Sequence, residues 1–206
     1  VNTNFSCISA IDSHYNFVPV WKPPFISALS PEDRCHLNGM GARDGKLAYA
    51  TACAQTNTVH GWKPYKNSGG VLIDVQTNEI ITTGLSMPHS PRWHDGKVWL
   101  LNSGEGEFGY VDPDVGTFVP VIDCPGFARG LSIVGDYAVI GLSKLRENTF
   151  ASGLNIKEKL ENLHVAQRCG VMIVDLRTSR MVHWLTIEGI TELYDAALLE
   201  GIERPF

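Results

Sequence analysis

The 206-residue sequence lacks several features that would assign a protein to a functional class at once. No apolar run approaches the roughly 18 residues that a membrane-spanning helix needs, so we expect no membrane role. Acidic residues outnumber basic ones by 22 to 17, and this balance gives no electrostatic basis for binding nucleic acid. The first residues, Val1 to Asn4, lack the charged start and apolar stretch of a signal peptide.

Cysteine is scarce, and its five positions are widely spaced: Cys7, Cys35, Cys53, Cys124 and Cys169. No Cys-x-x-Cys pair occurs, which disfavours a zinc or redox motif. We therefore expect reduced thiols in a cytoplasmic protein. Val1 is not an initiator methionine, and residues 1–10 resemble a strand already in progress, so we expect an N-terminal portion to be missing.

A repeated pattern is present instead, supported by 20 glycines and 11 prolines. Three units share a strand, a tight turn, a second strand and an apolar strand that ends at an aspartate. The tight turns are Asp44-Gly45, Asp95-Gly96 and Gly135-Asp136, and the closing aspartates are Asp74, Asp112 and Asp175. The Asp74–Asp112 spacing is close to the roughly 40–45 residues of a four-stranded propeller blade. The third unit carries an insertion.

These repeats predict an all-β chain of β-propeller blades with one helical insertion. About four four-stranded antiparallel units fit the length, as an incomplete part of a larger propeller. We expect a single domain, 1–206, divided into a partial blade 1–34, blades 35–86, 87–126 and 127–189, and a further start or closing strand at 190–206. A β-sandwich is the alternative, although it would not need the same aspartate turn in each unit. Open edge strands need a cover, so we expect a homo-oligomer.

Aligning the units on their tight turns predicts a functional site at the mouth of the central channel. The alignment places Asn38, His89 and Arg129 at one position of successive innermost strands. Their neighbours are small, turn-forming or apolar, so a polar side chain at this point is the best signal of a site. The fourth start adds Tyr194 and Asp195 near the same position.

Two long loops, 55–68 and 144–168, emerge on that face of the predicted propeller. The first carries Trp62, which we expect to close over a ligand. The second carries Arg146 and then a helix opened by Asn155. Long ordered insertions over a pocket often act as lids, and simple surface elaboration is the equally open alternative.

The side chains at this mouth favour an anion. Arg92 and Arg129 offer planar guanidinium groups suited to carboxylate or phosphate, and His89 and Asn38 would add hydrogen bonds. A small anionic or polar ligand is therefore the first hypothesis. Cys35 beside His36 is not expected to act as a nucleophile–base pair, because adjacent strand residues point to opposite faces.

Three alternatives stay open for this mouth, and so does the question of whether the chain is an enzyme. Arg129 could instead be tied into a structural ion pair with Asp195 or Glu192. We expect no cofactor, but a divalent metal ion bound at this mouth would make the chain a metal-assisted hydrolase or lactonase. The residues available to bind that metal ion are Asn38, His89, Asp195 and Glu192. The third alternative is a protein-interaction scaffold that uses the loop face.

Several runs resemble a bacterial family of conserved hypothetical proteins, a domain of unknown function grouped with β-propellers. The resemblance covers essentially the whole chain, and its motifs are long and specific. Members of that family extend further at the N-terminus, where more blade-like repeats precede a segment similar to residues 1–10. The resemblance implies that this chain is the C-terminal portion of a larger propeller, and it implies no catalytic residues. The runs that carry it are 31–39, 84–93, 106–112, 129–131, 141–148 and 192–195.

Overall fold

The computed structural model describes residues 1–145, 152–162, 164–199 and 201–202. In these residues the chain forms fourteen β-strands, one short 3₁₀ helix (Lys63–Tyr65) and one α-helix, α1 (Asn155–Asn162). The strands are β1 (Ile8–Ala10), β2 (Val18–Trp21), β3 (Leu37–Arg43), β4 (Lys46–Ala52), β5 (Gly70–Asp74), β6 (Ile80–Leu85), β7 (Pro88–His94), β8 (Lys97–Asn102), β9 (Glu107–Val111), β10 (Phe118–Asp123), β11 (Phe127–Val134), β12 (Tyr137–Ser143), β13 (Gly170–Asp175) and β14 (Arg180–Thr186).

Twelve of these strands form three four-stranded antiparallel sheets, ordered β3-β4-β5-β6, β7-β8-β9-β10 and β11-β12-β13-β14. Strands β1 and β2 pair separately as a two-stranded sheet. Each large sheet is an up-and-down meander in chain order, which is the construction of a propeller blade. The predicted all-β architecture of β-propeller blades with one helical insertion is confirmed.

The turns show why the same residue types recur in each unit. Asp44 and Gly45 both have positive φ, at 53° and 72°, and Asp95 and Gly96 follow the same pattern. Two-residue hairpin loops of type I′ need this geometry, and Asp-Gly supplies it with little strain. The closing aspartates cap their own turns, since Asp74 Oδ1 accepts hydrogen bonds from the backbone N–H groups of Gln76 and Thr77 at 2.8 and 2.9 Å.

The sheets stack face to face, and their strand sequences reflect burial on both faces. On β8, Val98 and Leu100 pack towards the preceding sheet, while Trp99 and Leu101 pack towards the following one. Successive side chains of a strand point to opposite faces, so a strand between two sheets is apolar throughout. A further apolar cluster, which includes Ile8, joins β1–β2 to the β3–β6 sheet. The innermost strands β3, β7 and β11 lie next to one another, as propeller blades require.

The segment 190–206, expected to start a further blade or to form a closing strand, contains no strand within its described residues, 190–199 and 201–202. It lies against β11 and β12 instead. Ser132 Oγ donates to the Ala196 carbonyl at 2.6 Å, and the Leu193 N–H donates to Ser143 Oγ at 2.9 Å. These contacts use side-chain hydroxyls rather than a backbone ladder, because the segment packs on the face of the last sheet and not at its edge.

The two long loops meet above the blades and form a roof, by which we mean residues 55–68 together with 152–162. Asn67 Nδ2 donates to the Gly153 carbonyl at 2.6 Å, and Lys66 Nζ donates to the Ser152 carbonyl. Helix α1 is held on the short loop of the neighbouring blade, where the Ile156 N–H donates to the Gly104 carbonyl at 2.9 Å. In the part of the chain that the structure describes, no helix is long and apolar enough to cross a membrane.

Candidate functional site

A cavity of about 300 Å³ lies along the innermost strands, where β3, β7 and the 194–195 segment face one another. We call it the inner-strand cavity. Five of the sequence-predicted site residues line it: Asn38, His89, Arg92, Tyr194 and Asp195. The remaining lining residues are Val1, Gly39, Met40 and Ser90.

The strands bring these residues together in register. The N–H of Gly130 on β11 donates to Ser90 Oγ on β7 at 3.1 Å. A Cβ atom on Gly39 would lie 3.1 Å from the Ser90 nitrogen, and one on Gly130 would lie 2.5 Å from the Asp195 Cα. Adjacent segments therefore place residues 39, 90, 130 and 195 next to one another in that order. The residues just before these four occupy equivalent positions on the same segments: Asn38, His89, Arg129 and Tyr194.

A buried hydrogen-bond network fixes the orientation of Asn38. Thr51 Oγ1 donates to Asn38 Oδ1 at 2.8 Å, so the Asn38 amide nitrogen is the group directed towards His89. Asn38 Nδ2 lies 3.4 Å from His89 Nε2 and 3.5 Å from Cys53 Sγ. Since an amide nitrogen can only donate, His89 Nε2 is the acceptor and the ring proton lies on Nδ1. Asn38 thus positions His89 and has its own amide already engaged.

His89 is an electrically neutral group in the cavity wall. Its residue is only 8% exposed, and burial lowers its pKa well below 6.5. The positive charges of Arg129 and His36 lower the pKa of His89 further. The imidazole therefore stays unprotonated at neutral pH and can offer one N–H donor without adding charge.

Arg129 supplies positive charge beside this wall. Its guanidinium carbon lies 5.2 Å from the centroid of the Phe127 ring and 5.4 Å from that of the Tyr194 ring. Aromatic faces on both sides attract the cation and restrict its orientation. Tyr194 itself is 72% exposed, so this arrangement sits at the solvent boundary of the site.

Arg92 is the cation that lines the cavity directly. Its Nη1 donates to the carbonyls of Met40 and Pro91 at 3.2 and 3.0 Å, which holds the guanidinium against the strands. Its Nη2 lies 3.8 Å from Asp195 Oδ1, beyond hydrogen-bond distance. Burial lowers the pKa of Arg92, and the Asp195 carboxylate acts in the opposite direction. The guanidinium stays cationic, and the Asp195 carboxylate neutralises its positive charge only weakly.

With this geometry established, the comparisons with known proteins identify the family. A family model described as "Domain of unknown function (DUF4915)" matches residues 1–206. The chain belongs to this family. No curated protein sequence matches it. Membership of DUF4915 fixes no reaction, and the biochemical function stays open.

Solved structures similar to this DUF4915 chain include a hydrazine synthase chain from Kuenenia stuttgartiensis, at 15% identity and a TM-score of 0.50, covering 82% of this chain and 41% of that one. The computationally designed Ika8 protein matches at 10% identity and a TM-score of 0.49, covering 96% and 48%. The Pan2 WD40 domain of Neurospora crassa matches at 13% and 0.42, covering 83% and 44%. The chain spans less than half of each structure, and such low identities concern the fold alone.

Four sequence-predicted residues either do not line the inner-strand cavity or lie outside the described chain. Arg129 is the first, since it is not among the lining residues. Trp62 was expected to close over a ligand, but it is only 4% exposed and packs in an apolar cluster beneath α1. Glu192 does not line the cavity and lies near Cys169, whose pKa is raised mainly by burial and further by the Glu192 charge. Arg146 lies outside the described residues.

The proposed metal site also has no counterpart in what the structure describes. Across residues 1–145, 152–162, 164–199 and 201–202, no group of three or more His, Cys, Asp and Glu side chains is placed to hold a metal ion. All five cysteines are unpaired and buried. Burial raises the pKa of Cys35 to about 11 and that of Cys53 well above 9.0, so neither thiol is an activated nucleophile.

Sequence reasoning missed one polar cluster in the segment just before β3. His36 was considered only beside Cys35, yet its partner is Asp33, three residues earlier. Asp33 Oδ2 lies 2.9 Å from His36 Nδ1 and accepts a hydrogen bond from Trp62 Nε1 at 3.0 Å. The Asp-x-x-His spacing just before β3 was the available signal, but it became informative only once Asp33 and His36 were both found with positive φ.

Proposed function

We propose that this chain binds a small organic anion in the inner-strand cavity, with Arg92 as the group that pairs with its carboxylate or phosphate. The observation that carries the proposal is the geometry of Arg92. Two backbone carbonyls hold its Nη1, while Nη2 lies 3.8 Å from the Asp195 carboxylate and donates no hydrogen bond within the described part of the chain. A fixed, partly buried guanidinium with unused donors is suited to a planar bidentate anion.

The surroundings support an anion over a cation. His89 is neutral, and the Arg129 charge lies close enough to depress the pKa of His89. Asp195 is the carboxylate that lines the cavity, and its Oδ1 already accepts a hydrogen bond from the Ala196 N–H at 2.9 Å. A volume of about 300 Å³ lies at the lower end of the range found for small-molecule sites.

The direct test is calorimetric titration of the purified chain with glutarate, gluconate and inorganic phosphate, each at constant ionic strength. We expect Arg92→Gln to weaken binding of the preferred anion by about 10-fold or more, because a charge-assisted hydrogen bond contributes about 1.5–3 kcal/mol. Arg180→Gln removes the same charge from an exposed position on β14 and is the matched control. Equal affinities in wild type and Arg92→Gln, or no binding of any of these anions, would overturn the proposal.

Replacing the neighbouring carboxylate of Asp195 is expected to strengthen anion binding, whereas Arg92→Gln should weaken it. Asp195→Asn removes a negative charge 3.8 Å from Arg92 without changing the side-chain shape much. We expect the bound anion to gain about 2- to 5-fold in affinity, since a largely exposed charge interacts by no more than about 1 kcal/mol. The same titration measures it, and weaker anion binding in Asp195→Asn would contradict the assigned ligand charge.

We also propose that the chain is the C-terminal portion of a larger bacterial propeller and that it works in the cytoplasm. Three sheets have four strands and the first has two, and strand β14 at the other end is exposed over most of its length. Five unpaired cysteines suit a reducing compartment.

Open sheet faces need a cover, so we expect the isolated 206-residue chain to self-associate through them. Light scattering that finds a stable monomer at about 50 μM would contradict this.

A further inference from the structure

A second cavity, of about 230 Å³, lies beside helix α1, between the end of β10 and the outer strands β13 and β14. We call it the sulfur-lined pocket, because Cys124, Met172 and Met181 are three of its lining residues. It shares no lining residue with the inner-strand cavity. The two cavities are therefore separate candidate sites.

The pocket has a buried wall and an open side. Cys124 and Met172 are buried in the apolar cluster between the last two four-stranded sheets. Leu160 of α1 also lines the pocket and is buried, whereas Met181 and Val165 are 50% and 39% exposed. Folded interiors leave few voids larger than a water molecule, so an apolar space of this size with an opening is suited to a ligand.

The charged groups at the rim disfavour an anionic ligand. Lys159 lines the pocket, and its Nζ donates to Asp123 Oδ1 at 2.6 Å and lies 3.6 Å from Glu107 Oε1. Two carboxylates thus adjoin one ammonium group, and these three side chains together carry a net negative charge. Burial raises the pKa of the Cys124 thiol, so the wall behind them is uncharged at neutral pH. A neutral ligand therefore fits this pocket best.

The sulfur atoms favour an aromatic occupant, and the volume sets its size. Thioether and thiol sulfurs make favourable contacts with aromatic ring edges, and the unbranched Met172 and Met181 side chains can adjust around a flat ring. An apolar cavity of about 150 Å³ holds one benzene ring. A cavity of about 230 Å³ therefore has room for two fused rings.

We propose that the sulfur-lined pocket binds a neutral molecule with two fused aromatic rings. Cys124, Met172 and Met181 contact the rings, and Leu160 covers them from α1. The site is independent of the anion site at Arg92. It gives the helical insertion of the third unit a role as the cover of an apolar ligand.

The test is NMR of the chain labelled with carbon-13 at its methionine methyl groups, with naphthalene as the probe. The chain has four methionines, of which Met172 and Met181 line the pocket and Met40 lines the inner-strand cavity. We expect naphthalene to shift the Met172 and Met181 signals saturably through its ring current, while the Met40 signal stays in place. The 2-naphthoate ion, which adds a charge to the same rings, should bind at least about 10-fold more weakly.

Three variants test the site and its chemistry. Val165→Phe adds a ring at the open side and should weaken naphthalene binding by about 10-fold or more, because the ring overlaps the ligand. Val115→Phe makes the same change at a largely exposed valine in the turn after β9 and should leave the affinity unchanged. Met181→Leu keeps the volume but removes one sulfur, and we expect binding to weaken about 2- to 10-fold.

Each part of the proposal has its own contrary outcome. Met172 and Met181 signals that do not move at saturating naphthalene, or an unchanged affinity in Val165→Phe, would overturn the site. Tighter binding of 2-naphthoate than of naphthalene would overturn the neutral class of ligand. An unchanged affinity in Met181→Leu would overturn the sulfur contact as the reason for aromatic selectivity.

Discussion

Replacing Gly130 with alanine is expected to lower the free energy of unfolding by about 3 kcal/mol and to release residues 191–196 from the last sheet. Gly130 has a φ of 76°, and a Cβ atom there would lie 2.3 Å from the Ala196 nitrogen and 2.5 Å from the Asp195 Cα. Both contacts are with backbone, so no side chain can rotate away. The segment that carries Tyr194 and Asp195 into the site would have to move.

Thermal unfolding and hydrogen exchange measure the two parts of this effect. For a chain of this size, about 3 kcal/mol corresponds to a loss of about 6–12 °C in Tm. The Leu193 and Lys144 N–H groups, bonded to Ser143 Oγ and the Thr191 carbonyl, should exchange faster in the variant. Gly135→Ala, at a positive φ with open space around it, should cost only about 1 kcal/mol. Equal losses in the two variants would show that the contact with residues 195–196 is unimportant.

His89 is expected to make the fold less stable in acid, by about 2 kcal/mol between pH 7 and pH 5. The folded protein keeps this imidazole neutral, because burial and then the Arg129 and His36 charges lower its pKa well below 6.5. The unfolded chain takes up a proton at His89 as the pH falls through about 6.5. Protons then favour the unfolded state, and the stability is lost progressively below that pH.

Denaturant unfolding at pH 7 and pH 5 isolates the His89 contribution. In His89→Gln, we expect the difference between the two pH values to shrink by about 2 kcal/mol relative to wild type, whatever the substitution costs at pH 7. His183→Gln removes an exposed histidine and should leave that difference unchanged. A wild-type pH dependence in His89→Gln would mean that the folded protein can protonate His89 freely.

The propeller blades could be predicted because their signals are local. Each Asp-Gly pair forms a type I′ turn from its own φ preferences. Asp74 and Asp175 accept hydrogen bonds from the N–H groups two and three residues on, and Asp112 accepts one from the N–H group two residues on. Uniformly apolar strands such as β8 indicate burial on both faces, which requires stacked sheets. The described part of the 190–206 segment, expected to start a further blade or to form a closing strand, is not a strand, because its partners are mainly hydroxyl groups on the face of another sheet.

The repeat register indicated part of the candidate site. Asn38 and His89 line one cavity since equivalent residues of neighbouring inner strands face the same channel, whereas Arg129, the third residue of that register, is not among the lining residues. Trp62 was expected to close over a ligand but is buried in an apolar cluster, because the sequence does not distinguish an aromatic lid residue on a long loop from one that packs in a core. Its packing on His36 and its bond to Asp33 depend on how the loop folds back.

The blades, their turns and the register of the inner strands follow from local sequence patterns, since they depend on residue conformations and on side-chain alternation within about forty residues. The chemistry of the candidate sites depends instead on contacts made in the folded chain. The neutral tautomer of His89 follows from the Thr51–Asn38 bond, the Arg92 environment from two carbonyls and Asp195, and the Asp33–His36 pair from a strained connection. The groups that orient Asn38 and adjoin Arg92 include Thr51 and Asp195, which are distant from them in sequence, and burial strengthens their electrostatic effects.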